Sequence, residues 1–386
     1  MDRRKFAKTA LGAIAGGVIA SNVSAKPEQV EAVKPQQQPL ELNPDLTNNL
    51  ADEQIRVIQA KRGYRHQGKK APDGKGPLVG KCTSLLVFAD VHLVYKHLAV
   101  IRDFHKTHKK YLDDALHLGD TVGNSLDPNH PFDFWDVFPD SLNVIGNHDC
   151  VYYEKIDGKY KYRHVGEKTK YETYLKKYVK SWNIVQPADA EEKSKCYWYK
   201  DYNNDIRLVG IDCMCPNNKE QLDWFAKTLE DAKNKKLRVV VATHIPPTVV
   251  EKDIVKCNFS SLDYDSSSDG RQLAKFLAII DAFIESGGDF VCWLAGHNHR
   301  DSIGYASFAK QKQLVIIFEC ATDFMWWTDA NHVYNTETAG CWTIIAFESL
   351  TNNIKLSRFG NNFDHYMRHK GTLCYNYKDH KLVSQY

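Results

Sequence analysis

The chain of 386 residues is 43% hydrophobic and 12% aromatic, enough to bury a large core in one big domain or two modest ones, which excludes a disordered or low-complexity protein. Four cations near the start, Arg3, Arg4, Lys5 and Lys8, set against Asp2, account for the whole formal net charge of +3. The remainder is near neutral and offers no field for steering onto nucleic acid or an anionic membrane, so nucleic acid is not an expected partner.

Residues 1–25, MDRRKFAKTALGAIAGGVIASNVSA, join that basic start to an apolar run from Ala10 to Ala20 and to small residues at Val23 and Ala25. This is the pattern of a removable signal peptide. The run is well short of the roughly 20 residues that span a bilayer, so no integral membrane span is expected. Arg3 and Arg4 resemble a twin-arginine export signal, the type read by a bacterial receptor, which implies delivery to a periplasm. Residues 26–81, rich in Pro, Gln, Asn and Gly, suit a tether or a peripheral wrap with one short helix at 51–61.

From residue 82 the texture changes. SLLVFA (84–89) reads as a buried strand, and the spacing of Leu98, Ile101, Phe104 and His105 predicts a helix over 96–110. Short apolar runs at 115–118 and 142–145 read as strands. Helical patterns follow at 168–182 and 219–233, strands at 196–200, 206–211 and 237–243, and a helix at 270–286. Strands at 290–295, 314–319 and 341–347 complete the series. Strands alternate with helices first and dominate later, which predicts a layered α/β fold with helices outside and sheets inside. The ten cysteines form no CxxC pair; Cys320 and Cys341 bracket one segment and are the expected bridge if the protein is exported, while most of the others read as small buried hydrophobes.

Five strands share one property: the residues just past their C-terminal ends are metal-ligand types. Strand 84–89 delivers Asp90 and His92; 115–118 delivers Gly119 and Asp120; 142–145 delivers Gly146, Asn147, His148 and Asp149. Strand 237–243 delivers His244, and 290–295 delivers Gly296, His297, Asn298 and His299. Such strand ends line one edge of an α/β sheet, where ligands bind. In Asp-x-His and His-x-His, alternate residues of an extended chain face the same way, so each pair can grip one ion. Two or three carboxylates, four histidines and an asparagine exceed what one ion requires, and the oxygen and imidazole mixture suits Mn, Fe or Zn and not Ca. Two metals are the economical reading. The glycines ahead of Asp120, Asn147 and His297 let the backbone turn sharply. Lone histidines such as His117 and His164 read as satisfied core or surface groups.

In this order the motifs resemble the calcineurin-like metallophosphoesterase superfamily: Asp-x-His, Gly-Asp, Gly-Asn-His-Asp, a distal His and Gly-His-x-His, over a core from about 82 to 358. The resemblance implies a four-layer α/β/β/α sandwich, with inserts near 150–205 and 320–340 and a C-terminal extension from 359 to 386. It implies that Asp90, His92, Asp120 and His299 hold one ion and that Asp120, Asn147, His244 and His297 hold the other. His148 would be the catalytic histidine, with Asp149 orienting its imidazole. The activity implied is hydrolysis of phosphate mono- or diesters by a hydroxide held between the metals, His148 protonating the leaving oxygen. Monoesterase and phosphodiesterase or nucleotide pyrophosphatase specificities both stay open, as does a non-catalytic binding module on the same fold. In the related purple acid phosphatases a tyrosine lies three residues after the bridging Asp; here Gly123 stands there, so their colour is not expected and the metal stays open among Mn, Fe and Zn.

A small phosphorylated substrate is the expected partner, and nothing in the sequence fixes an oligomeric state. Arg300 could reach a phosphate oxygen or form an exposed ion pair. Trp326, Trp327 and Tyr334 in the second insert could stack on a base or sugar, or simply pack that insert onto the core.

Overall fold

Leu85, Leu86, Val87 and Phe88 are buried almost completely, and a run apolar on both faces can only be an interior strand. In the computed structural model this is β3, Cys82–Phe88, in the middle of a sheet. The structure describes residues 64–70, 77–92, 95–121, 137–249, 273–299, 301–318, 321, 341–360 and 372–385, all within one compact unit, Leu42–Tyr386.

The first sheet has seven strands. β3 pairs in parallel with β4, Asp114–His117, which pairs in parallel with β5, Ser141–Asn143. On its other side β3 meets β14, Cys341–Glu348, antiparallel, followed outward by β15, Asn353–Gly360, β16, Thr372–Asn376, and β17, Lys381–Gln385. The last two strands come from the stretch expected as a C-terminal extension. The second sheet runs β12-β13-β11-β10-β9-β8. Its members are β8, Trp198–Tyr202, β9, Ile206–Gly210, β10, Arg238–Ala242, β11, Asp289–Ala295, β12, Ser302–Tyr305, and β13, Leu314–Ile317. Strands β9, β10, β11 and β13 run parallel.

Alternation along β10 shows the layering. Val239 and Val241 pack with Phe225 and Leu229 of helix α2, Lys219–Asn234, and with Phe276 and Ile280 of helix α3, Ala274–Glu285. Val240 and Ala242 belong to the core shared with the first sheet. Helix α1, Tyr95–His108, covers the far face of that sheet, where Phe104 meets Trp342 and Phe359. The order is thus helix, sheet, sheet, helices, the four-layer α/β/β/α sandwich that the resemblance implies. α2 starts where its pattern predicts, because the side chain of Asn218 accepts a hydrogen bond from the backbone of Gln221 at 3.1 Å.

Three stretches differ from the sequence pattern. The helix expected over 168–182 is broken into Glu167–Tyr171, a π-helical turn Glu172–Lys176 and Val179–Trp182. The wider turn brings Tyr171, Tyr174, Leu175, Tyr178 and Trp182 all into the core. Ahead of it, β6, Val151–Ile156, and β7, Lys159–His164, form a separate two-stranded hairpin. In the tether region, β1, Tyr64–Lys70, pairs with β2, Pro77–Gly80. Residues 1–25, the helix at 51–61, Cys320 and most of the second insert lie outside the described residues. Among the described residues no helix is long and apolar enough to cross a membrane.

Candidate metal centre

The C-terminal ends of β3, β4 and β5 in one sheet and of β10 and β11 in the other come together across the sandwich. Backbone bonds fix the junction: Asp90 N donates to Gly119 O at 3.0 Å, His92 N to Asp120 O at 3.1 Å, and Gly296 N to His244 O at 3.0 Å. The ligand pairs do not sit on extended chain, as the alternation argument assumed. Asp90, His92, Asp120, His297 and His299 all take left-handed φ, between 46° and 71°. For non-glycine residues this is strained backbone, held by its surroundings and concentrated where side chains must converge. Of the three motif glycines only Gly119 has positive φ, 88°. Gly296 is required by crowding instead, since a β-carbon there would lie 2.7 Å from Asp90 Oδ2.

All seven predicted ligands meet. Around Asp90, which is fully buried, Oδ1 lies 3.3 Å from His299 Nε2 and 3.8 Å from His92 Nε2, and those two nitrogens are 3.1 Å apart. Around Asp120, Oδ2 lies 3.2 Å from His244 Nε2. Asn147 Oδ1 is 2.9 Å from both His244 Nε2 and His297 Nδ1. Asp90, His92 and His299 form one group with metal-binding spacing, Asp120, His244 and His297 a second, and His92, Asp120 and His148 a third that links the two. His244 Nδ1 is 2.7 Å from the carbonyl of Leu118, which can only accept, so Nδ1 carries a proton and Nε2 faces the centre. That backbone partner left no trace in the sequence.

The buried carboxylates and imidazoles strongly shift one another's charge. Burial favours the neutral carboxyl of Asp90, but His299, His244 and His92 outweigh it and hold it below the usual range; His244 does the same for Asp120. Burial disfavours charge on His244 too, yet Asp120 and Asp90 push it up to about 9, while burial takes His92 and His297 down to about 4. Buried carboxylates ringed by inward-facing nitrogens fit divalent ions with oxygen and imidazole ligands. They would hold two, the first on Asp90, His92 and His299, the second on Asn147, His244 and His297, with Asp120 within reach of both.

His148 opens the short turn His148–Cys150; its Nε2 is 3.7 Å from Asp120 Oδ2 and its backbone N donates to Asp120 Oδ1 at 2.8 Å. Asp149 bears on that imidazole through the backbone of its turn and not by a direct bond to His148 Nδ1. Its carboxylate accepts from the backbone nitrogens of Asp120 at 3.0 Å, Thr121 at 2.9 Å and Gly146 at 2.9 Å, and His148 Nδ1 is buried without a hydrogen-bond partner. Asp149 therefore ties the β4 and β5 turns together. Burial and the charge of Asp120 push its carboxyl up to about 7 against those N–H bonds. His117 is a buried core histidine, its Nδ1 2.9 Å from Asn143 Oδ1 and its ring stacked on Phe88, and His164 is exposed. Arg300, Trp326, Trp327 and Tyr334 lie outside the described residues. Asp301, two residues after His299, is buried in an ion pair with Arg358 of β15, a link the sequence did not signal.

The family model of calcineurin-like phosphoesterases matches residues 83–301. The chain belongs to this family. Among solved structures, this phosphoesterase is similar to a dimetal phosphatase from Danio rerio, with 12% identity, 76% of this chain and 99% of that chain covered, and a TM-score of 0.47. It is also similar to a metallophosphoesterase from Sphaerobacter thermophilus, with 13% identity, 75% and 90% covered, and a TM-score of 0.29. No curated protein matches the chain in sequence.

Proposed function

We propose that this calcineurin-like phosphoesterase hydrolyses phosphate mono- or diesters at a two-metal centre. The observation that carries the reading is the convergence of Asp90, His92, Asp120, Asn147, His244, His297 and His299 from five strand ends into adjoining groups around buried Asp90 and Asp120. Two bound cations would supply Lewis-acid polarisation of the phosphoryl group and a nucleophile near neutral pH.

The chain's own residues do the rest. Asp90 and Asp120 supply the negative charge that retains cations, and neutral Asn147 adds an oxygen without further charge. His244, fixed by the Leu118 carbonyl, keeps Nε2 inward. His148, its side chain 23% exposed and its Nε2 3.7 Å from Asp120, hands a proton to the leaving oxygen, a contribution of roughly 10²- to 10⁴-fold. The Asp149 carboxylate holds the turn that aims it.

Residues 1–25 support export through a twin-arginine route, which would let the centre fill before the chain crosses the membrane. Fusing them to a reporter tests this: export should cease when Arg3 and Arg4 become Lys, and unchanged export would end the idea.

The hydrolase is tested with an aryl phosphate monoester and an aryl phosphodiester, using protein reconstituted separately with Mn, Fe and Zn. Turnover of one of them selects the subclass. Two bound ions with silence on both favours a binding module on the same fold.

A further inference from the structure

Behind the metal turns the protein buries a lysine. Lys170, on the short helix Glu167–Tyr171, is 2% exposed. Its Nζ lies 3.1 Å from Oδ2 of Asp212, itself 3% exposed, and 2.9 Å from Oε1 of Glu167. Burial favours the neutral amine, but Asp212 outweighs it and keeps the group cationic. Glu167, Asp212 and Cys215 have the spacing of a metal cage, yet the ammonium already stands among them, 4.0 Å from Cys215 Sγ. The protein supplies its own cation there.

Asp212 belongs to the loop 211–215 after β9, and that loop touches two of the metal turns. The backbone N of Ile245, next to His244, donates to Cys213 Sγ at 3.4 Å. The same sulfur lies 3.9 Å from the carbonyl of Ile145, just ahead of Gly146, Asn147 and His148. Gln221, fully buried on α2, braces the loop by accepting from Asp212 N at 2.8 Å and donating to the carbonyls of Asp212 and Cys215. On the other side, Val165 N donates to Cys150 O at 2.8 Å, tying the segment that carries Lys170 to the His148–Cys150 turn. Lys170 therefore closes a ring between the turn that presents Asn147 and the strand end that presents His244.

A buried ion pair is a poor way to stabilise a fold, because a well-packed apolar pair of similar volume does as well or better. Placement explains this one better than stability does. We propose that Lys170 is a positioning residue for the second metal ion: its pair with Asp212 sets the separation of Asn147 and His244, and through it the affinity for that ion. The inference rests on the two-metal reading for its ligands but not on any hydrolysis.

The test is a manganese titration of the full chain followed by electron paramagnetic resonance, with wild type, Lys170→Met and the double variant Lys170→Met/Asp212→Asn. In Lys170→Met the first ion should bind within about twofold of wild type and the second about tenfold or more weakly, the scale of an outer-shell change at a metal site. Lys170→Met leaves Asp212 charged and unmatched, so the double variant separates folding from positioning. It should regain melting temperature while its second ion stays weak. The proposal is overturned if Lys170→Met keeps both affinities, if the double variant recovers the second affinity together with its stability, or if wild type takes up a single ion. A chain that binds two ions in this pattern yet hydrolyses no ester would remove the proposed function and leave the role of Lys170 standing.

Discussion

Gly146 lies so close to Asp120 that a β-carbon on it would stand 2.2 Å from both the backbone nitrogen and Oδ1 of Asp120. No side chain survives at that distance, so the β4 and β5 turns can approach only because residue 146 has none. Gly146→Ala should force Asp120 out of place, lower stability by about 1–3 kcal/mol and reduce bound metal to one ion or fewer. Elemental analysis and a thermal melt read both effects. Full metal content in the variant would show that the approach is not needed.

His148 meets the centre through Asp120, at 3.7 Å, and edge-on against His92, ring centroids 4.9 Å apart, and the proposed function makes it a proton donor and not a ligand although His92, Asp120 and His148 also have metal-binding spacing. His148→Ala should keep the metal content of wild type and lower kcat by roughly 10²- to 10⁴-fold. Loss of an ion in this variant would make His148 a ligand and overturn its assignment as proton donor.

Away from the centre, His105 of α1 is buried against Phe138, ring centroids 5.3 Å apart, and burial takes its pKa down to about 4. The unfolded chain, near 6.5, takes up the proton first as pH falls. This histidine therefore leaves stability intact above about pH 6.5, erodes it between there and about 4, and has no further effect below. His105→Leu should flatten that part of the profile in urea unfolding at pH 4 to 7. An unchanged slope would mean the ring is charged in the fold.

Metal removal should loosen the protein without unfolding it, because the cores around β3 and β10 do not involve the ligands. With the metal at 100 times its dissociation constant, each bound ion adds about 2.7 kcal/mol. Chelation should lower the melting temperature by several degrees, and Mn should restore it. A melt insensitive to chelator and metal alike would argue against a bound ion.

Much of the site was legible because each ligand follows an apolar strand, so Asp90, Asp120, Asn147, His244 and His297 could be placed at strand ends before any geometry was known. The left-handed φ of Asp90, His92 and His299 was not, since side-chain alternation presumes extended backbone and these residues leave it. The partners of Asp149 were not legible for a related reason: they are backbone nitrogens of Asp120, Thr121 and Gly146, which carry no residue-type signal. The β6–β7 hairpin has no signature in the sequence because its exposed residues, Glu154, Lys155, Lys159 and Lys161 among them, lack the apolar alternation of a half-buried strand. Strands β16 and β17 were hidden by their position beyond the last motif. Lys170 lies in the helical pattern at 168–182, where no residue type marks its burial against Asp212.

The most direct test of the two-metal phosphoesterase is to follow hydrolysis of an aryl phosphate ester while Mn is added stepwise to metal-free protein. Activity should climb until two equivalents per chain are bound and then level off. Activity that levels off at one equivalent, or that is already present without metal, would contradict the account.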